Sequence, residues 1–150
     1  MESAWVGLLD WEGREGDLGA PRLLAFQRPV KYSIVTASSA TVLTDQGQVW
    51  HCAQDWTPTL LDLPVVVRAL ACAPSATFLV STTGKVYVWG ADPGHSGLLG
   101  LSAVFSIEAP ILISALAEVS IVQIAASQHH AAAIDSTSYP ETGKVYTWGS

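Results

Sequence analysis

The chain has 150 residues, of which 49% are hydrophobic and 13% charged, and it carries a formal net charge of −6 at pH 7. This length allows one domain with its own core. The acidic balance argues against nucleic-acid binding, because phosphate contacts need clustered lysine and arginine. No apolar stretch is long enough to cross a membrane and no secretory signal follows Met1, so we expect no membrane insertion and an intracellular location, cytoplasmic or nuclear.

Only two cysteines are present, Cys52 and Cys72. They form neither a CxxC motif nor a cluster of zinc ligands. Two free, buried thiols in a reducing compartment are therefore expected.

An internal repeat organises the sequence. Each of three copies contains a proline followed by apolar residues and, further along, a glycine followed by a β-branched and aromatic segment. The aligned segments are Pro21-Arg-Leu-Leu24, Pro58-Thr-Leu-Leu61 and Pro110-Ile-Leu-Ile113, with Gly47-Gln-Val-Trp50, Gly84-Lys-Val-Tyr87 and Gly143-Lys-Val-Tyr146.

Each copy has the pattern of three short strands separated by a small-residue corner and a turn that ends in glycine. Predicted strands cover residues 65–71, 77–80, 85–89, 121–126 and 131–134. In the 85–89 strand, Val86 and Val88 point to one face while Tyr87 and Trp89 point to the other. A strand that is apolar on both faces is typical of stacked propeller blades. Residues 111–124 show helical periodicity, but their alignment with the unit that contains Pro64 favours loop and strand.

These segments resemble the repeat of the regulator of chromosome condensation family. Its Gly-x-Val-Tyr-x-Trp-Gly strand is matched by Gly84-Lys-Val-Tyr-Val-Trp-Gly90 and again by Gly143-Lys-Val-Tyr-Thr-Trp-Gly149. Its Gly-Gln-Leu-Gly loop is matched by Gly97-Leu-Leu-Gly100 and Gly16-Asp-Leu-Gly19. Residues 125–134 are similar to its last two strands, with the family's histidine kept at His130. The copies are divergent, since the family's corner glycine is replaced in all of them.

The resemblance implies an all-β fold, a partial β-propeller of about two to three four-stranded blades from a seven-bladed type. We expect one partial propeller domain over residues 1–150, with units of about 1–57, 58–109 and 110–150. It also implies that Trp89 and Trp148 are core residues that pack blades together.

No set of residues predicts catalysis, a metal site or a cofactor. Gly84-Lys85 and Gly143-Lys144 lack the upstream glycine of a phosphate-binding loop and are interpreted as hairpin tips. His129 and His130 have no carboxylate or cysteine at a useful spacing, so they predict neither a metal site nor a catalytic base.

The sequence therefore predicts a non-catalytic protein–protein interaction module, one arc of a propeller within a larger protein or assembly. Binding is expected in the long loops, through exposed residues, because loops on rigid scaffolds carry function. The predicted partner-binding residues are Asp92, His95, Tyr139, Glu141 and Trp56. The alternative that the resemblance implies is guanine-nucleotide exchange on a small GTPase, so the expected partners are proteins, either a small GTPase or a larger assembly.

Overall fold

A computed structural model describes residues 4–6, 24–36, 39–53, 55–136 and 143–150. The described chain forms antiparallel sheets, and its only helix is a single 3-10 turn at Ser114–Leu116. The all-β prediction is confirmed, as is the prediction of loop and strand rather than a helix over residues 111–124. Nothing helical within these ranges has the length and apolar character needed to cross a bilayer.

The sheets follow one another along the chain as propeller blades. A two-stranded sheet of β1 (Ala4–Val6) and β2 (Leu24–Phe26) comes first. Blade 1 contains β3 (Val30–Val35), β4 (Ala40–Thr44), β5 (Val49–Cys52) and β6 (Pro58–Leu60). Blade 2 contains β7 (Val67–Cys72), β8 (Ala76–Ser81), β9 (Val86–Ala91) and β10 (Ser106–Leu112). Blade 3 has three described strands: β11 (Ile121–Ala126), β12 (His130–Asp135) and β13 (Lys144–Gly149).

The blades have equivalent registers, as the sequence repeat predicts. Trp89 pairs with Thr77 in blade 2, and Trp148 pairs with Ala131 at the same position of blade 3. The first strand of each blade turns into the second through a corner closed by one backbone hydrogen bond of 2.8 Å. These bonds run from Thr36 to Ser39, from Ala73 to Ala76 and from Ser127 to His130. The innermost strand β7 contacts the innermost strands β3 and β11 on either side.

Each junction between blades is sealed at a hairpin tip. The carbonyl of Gly47 accepts a hydrogen bond from Val67 N–H at 3.1 Å, and that of Gly84 accepts one from Ile121 N–H at 2.9 Å. A Cβ on Gly84 would lie 2.4 Å from the Ser120 hydroxyl oxygen, and Gly84 also has φ +82°. Only glycine fits such a position, because the next blade lies against the tip and the backbone is left-handed. The prediction that Gly47 and Gly84 form hairpin tips is confirmed.

Apolar faces pack between successive blades. Val86 and Val88 of blade 2 are fully buried in a cluster that includes Ile121 and Ala133 of blade 3. On the other face, Tyr87 and Trp89 pack towards a cluster shared with blade 1. Trp89 and Trp148 both contact these clusters but are only partly buried. The prediction of strands buried on both faces is therefore confirmed.

The outer face of blade 3 has no such cover within the described chain. Val145 is 62% exposed and Ile134 is 38% exposed. Val86 and Val80 occupy the same positions in blade 2 and are fully buried. At the hairpin tip of blade 3, a Cβ on Gly143 would meet nothing within 4 Å. This apolar face has the composition of a blade junction, and no other described residue covers it.

Candidate functional site

The β5–β6 connection of blade 1 and the longer β9–β10 connection of blade 2 both lie at one edge of the blade stack, called here the corner edge. Its described residues are those of the three β-corners (36 and 39, 73–75 and 127–129) and of two loops (53 and 55–57, and 92–105). The opposite edge, called the hairpin edge, carries the tips at residues 45–48 and 82–85 and the links between blades. The corner edge thus combines two irregular loops with a sheet framework, the usual arrangement of a binding surface.

Asp92 organises the long loop of the corner edge. One carboxylate oxygen accepts hydrogen bonds from the Ser96 N–H at 3.1 Å and the Ser96 hydroxyl at 3.0 Å. The other accepts from Gly97 N–H at 2.8 Å and Leu98 N–H at 3.1 Å. Asp92 is only 2% exposed. The expectation that it is an exposed contact residue is therefore wrong, since its oxygens face the loop's own donors.

These hydrogen bonds also determine the charge state of Asp92. Burial alone raises the pKa of a carboxyl group by disfavouring the ionised form. Here the bonds from Ser96, Gly97 and Leu98 outweigh that desolvation, and the pKa of Asp92 is lowered. The carboxylate therefore stays ionised at neutral pH and holds residues 92–98 in one conformation.

An exposed aromatic pair lies on this ordered loop. The ring of His95 stacks on the ring of Phe105, with centroids 4.0 Å apart and an interplanar angle of 19°. Phe105 is 40% exposed, and its neighbour Val104 is exposed as well. His95 has a φ of +51°, a conformation that costs energy for a residue with a side chain. The loop thus presents an aromatic and apolar patch in a fixed arrangement.

The remainder of the loop caps the tryptophan of the next blade. The Trp148 indole N–H donates to the Leu98 carbonyl at 2.7 Å, and the Trp148 ring makes an edge contact with Phe78. Leu98 and Leu99 are buried beneath the loop. Gly100 lies against the indole, since a Cβ there would be 3.2 Å from its nitrogen. The Gly97-Leu-Leu-Gly100 segment therefore closes the junction between blades 2 and 3.

At the equivalent junction between blades 1 and 2, no described segment covers the tryptophan position in this way. A cleft of about 220 Å³ lies there at the corner edge. Its lining residues are Thr36, Ser39, His51, Ala73, Pro74, Ser75, Ala76, Thr77, Trp89 and Gly90. The Thr41 hydroxyl lies 3.4 Å from His51 Nδ1, and the Thr36 and Ser39 hydroxyls lie 2.8 Å apart. The cleft is thus lined by hydroxyl groups, one imidazole, one indole and small apolar residues.

The other predicted site residues fall in different places. Trp56 lies in the short corner-edge loop and is half-buried, with φ +59°. Its backbone N–H donates a hydrogen bond to the Ala53 carbonyl. Tyr139 and Glu141 lie outside the described residues. The positions that flank them, Ser136 and Gly143, are at the hairpin edge. The structure brings His95 and Trp56 to the corner edge, and the sequence reasoning missed Phe105 and the cleft.

A second cavity lies at the hairpin edge, and both cysteines are free. The cavity, of about 430 Å³, lies between Gln48, Leu60 and Val66. Burial raises the pKa of Cys52 and of Cys72, so these thiols are poor nucleophiles at neutral pH. Among the residues placed by the structure, no three His, Cys, Asp or Glu side chains come close enough together to hold a metal ion.

Comparison with known proteins identifies the class of this fold. Residues 83–134 match the model of the regulator of chromosome condensation (RCC1) repeat. The chain is 28% identical to the RCC1 domain-containing protein RUG3, mitochondrial, of Arabidopsis thaliana, over 90% of its own length and 32% of that protein's. It spans about a third of this curated relative.

Solved structures share the fold of the described chain. Human WBSCR16 superposes with a TM-score of 0.71 at 18% identity, covering 87% of this chain and 35% of that one. Yeast RCC1 (Prp20), in its complex with Kap60, superposes with a TM-score of 0.66 at 17% identity, covering 85% of this chain and 34% of that one.

The fold defines a β-propeller protein. More specifically, residues 83–134 match the repeat of the regulator of chromosome condensation family, and the described blades are similar in fold to yeast RCC1.

Proposed function

We propose that the chain is a non-catalytic protein–protein interaction module that binds partners through its corner edge. The observation that carries the proposal is the exposed stack of His95 on Phe105. The loop beneath it is held by Asp92, so binding does not have to order it. Aromatic residues in fixed positions contribute most of the energy of protein interfaces, because they bury large areas at small entropic cost.

The chemistry of the corner edge supports binding rather than a reaction. The groups that line its cleft are hydroxyls, one imidazole and one indole, with no carboxylate or thiol among them. A nucleophile, its base and an orienting group do not converge at any described position of this edge. We place the protein inside the cell as part of this proposal. The relative named mitochondrial adds that organelle to the cytoplasm and nucleus as a location to test.

We propose further that these blades form one arc of a larger propeller, whose other blades belong to the same protein or to an assembly. Its support is the exposure of Val145 and Ile134 on blade 3, at positions that are buried in blade 2. Uncovered apolar faces and unpaired strand edges favour association. The occupant that fits is a blade of the same repeat type, because blades cover the same face at both described junctions.

Site-specific photo-crosslinking tests the binding surface. A photoreactive residue is placed at Phe105 and, as the matched control, at the exposed Glu118 on the hairpin edge. We expect specific adducts at position 105 that disappear when the unlabelled chain competes, and that are not competed by a chain carrying His95→Ala and Phe105→Ala. Equal adducts at both positions, or competition by the double variant, would contradict the proposal.

Guanine-nucleotide exchange makes a different prediction for the same chain. Prp20p of Saccharomyces cerevisiae has binding properties towards Gsp1p and histones, and at 18% identity its likeness carries only the fold to this chain. Release of labelled nucleotide from loaded small GTPases, faster with the chain than without it, would replace the non-catalytic proposal by exchange.

A further inference from the structure

The two links that join successive blades at the hairpin edge differ in length. Each link starts at a residue whose N–H donates to the third strand of the preceding blade, Leu61 or Ile113. Each ends where an N–H of the following blade donates to a hairpin-tip glycine. Residues 62–66 lie between these anchors in the link into blade 2, and residues 114–120 in the link into blade 3. The link into blade 2 is therefore the shorter one.

The longer link fills its junction with its own residues. It forms the 3-10 turn Ser114–Leu116, and the Leu116 side chain is buried. Its main chain is bonded internally, since the N–H groups of Leu116, Ala117 and Val119 donate to carbonyls of the same link. Lys85 of the hairpin tip donates to the Ala117 carbonyl. Neither apolar volume nor main-chain hydrogen bonds are left over at this junction.

The shorter link lies beside the cavity of about 430 Å³. It forms no helix or strand, and its free N–H groups, which make no hydrogen bond to any described residue, are those of Asp62, Leu63, Val65 and Val66. The structure describes every residue that lines the cavity: Gln46, Gly47, Gln48, Val49, Leu60, Leu61, Asp62, Leu63, Val65 and Val66. This junction therefore has both an unfilled volume and unused main-chain donors.

The lining of the cavity is apolar with a single charge. Leu60 is 45% exposed and Val66 is 53% exposed, although both are aliphatic. An apolar group that displaces poorly held water from such a lining gains affinity. Asp62 is the only charged lining residue, and its exposed carboxylate makes no ion pair with any described residue. The lining therefore favours a partner that combines an apolar group with a positive charge.

We propose that this cavity binds a segment of a partner protein in which an aliphatic side chain stands next to a lysine or arginine. The aliphatic side chain occupies the cavity, as the counterpart of Leu116 at the next junction. The cation pairs with the Asp62 carboxylate. Main-chain carbonyls of the segment accept from the free N–H groups of residues 62–66. These donors favour a polypeptide over a small apolar molecule, because main-chain hydrogen bonds are how exposed backbone recognises peptides.

The size and location of the cavity fit this occupant. Its volume is within the range of about 300–1,000 Å³ that is usual for ligand sites, and holds a side chain with adjoining main chain. The net charge of −6 attracts a cationic partner during association. The cavity lies at the hairpin edge, opposite the His95–Phe105 stack, so this inference goes beyond the corner-edge proposal and does not depend on it.

Titration of the full chain, labelled with ¹⁵N, by synthetic peptides tests the proposal. The probe is acetyl-Ala-Leu-Arg-amide, and two comparison peptides carry alanine in place of leucine or glutamate in place of arginine. We expect the probe to shift the amide signals of Leu63 and Val66 saturably and to slow their hydrogen exchange, because these amides gain acceptors. The alanine peptide is expected to bind about tenfold more weakly, and the glutamate peptide about fivefold.

Variants of exposed lining residues separate recognition from unspecific association. Asp62→Asn should remove the preference for arginine over glutamate, and Leu60→Ala should weaken binding of the probe about threefold. The matched controls are Glu118→Gln, in the longer link, and Ile111→Ala, at an exposed position of the outer strand of blade 2. Both controls should bind the probe as the parent does.

Three results would each overturn the proposal. The first is that the Leu63 and Val66 signals do not move. The second is equal binding of the leucine and alanine peptides, or a preference for arginine that survives Asp62→Asn. The third is a shift of the signals without slower hydrogen exchange, which would assign the cavity to apolar molecules rather than to a polypeptide. Crosslinking at Phe105 is unaffected by any of these results and tests the corner edge separately.

Discussion

The hydroxyl oxygen of Tyr32 accepts a hydrogen bond from the backbone N–H of Leu70 at 2.6 Å, which joins the innermost strands of blades 1 and 2. Burial raises the pKa of Tyr32 above its ordinary value, and the hydrogen bond from Leu70 offsets only part of this effect. The folded state therefore favours the protonated phenol. Burial of the Tyr32 phenol therefore links the stability of this junction to pH at the alkaline end.

Removing the Tyr32 hydroxyl should weaken the junction. Tyr32→Phe leaves the Leu70 N–H without its acceptor, and we expect the free energy of unfolding to fall by about 1–2 kcal/mol in urea titrations at neutral pH. Because the folded pKa is raised, the contribution is complete below the unfolded pKa and is lost as pH rises through the folded value. The parent should therefore lose more stability than Tyr32→Phe above about pH 10. Tyr87→Phe is the control, and a neutral Tyr32→Phe would contradict the expectation.

Two equivalent glycines should respond differently to alanine. Gly84→Ala forces a Cβ against Ser120 at a left-handed φ, so we expect a loss of about 2–4 kcal/mol. Gly143→Ala meets no neighbour in the described chain and should change stability by less than about 0.5 kcal/mol. Thermal unfolding of both variants measures the difference. In an assembly where another blade covers the Gly143 tip, the two substitutions should become equally harmful.

Replacing the buried Asp92 carboxylate with an amide should destabilise the protein. Asp92→Asn places an NH₂ group, which cannot accept, among donors from Ser96, Gly97 and Leu98, and we expect the melting temperature to fall by several degrees. Since the pKa of the carboxyl is lowered, its contribution is present above the unfolded pKa and is lost as pH falls through the folded value. Hydrogen exchange of the Gly97 and Leu98 amides should accelerate in the variant. Protection equal to that of the parent would show that the loop does not depend on the carboxylate.

The open face of blade 3 should govern self-association. The Val145 side chain is 62% exposed, and Val145→Asp replaces it with a charged group. We expect this variant to form less oligomer in sedimentation velocity and to bind a hydrophobic dye more weakly. Val86→Asp, at the equivalent buried position of blade 2, is the contrast and should unfold the protein. Unchanged association in Val145→Asp would exclude this face as the site of contact.

Local patterns in the sequence were sufficient to predict the blade framework. The alternation of Val86, Tyr87, Val88 and Trp89 indicated the two buried faces, and the repeated glycines indicated the hairpin tips, because both depend on short-range geometry. The burial of Asp92 depends on N–H groups that converge only after the loop folds, so a polar residue in a long loop was interpreted as exposed. The cleft beside Trp89 depends on what a neighbouring blade lacks, and no single segment carries that information.

The seals between blades impose an order on biosynthesis. The Gly47 carbonyl can accept its hydrogen bond only after Val67 of the following blade has been synthesised. The Gly84 carbonyl depends on Ile121 in the same way. A blade that leaves the ribosome is thus unfinished until the next one has been translated, and its apolar face stays open for that interval. The growing chain always carries one unsealed blade at its C-terminal side, which is where a chaperone would find its substrate.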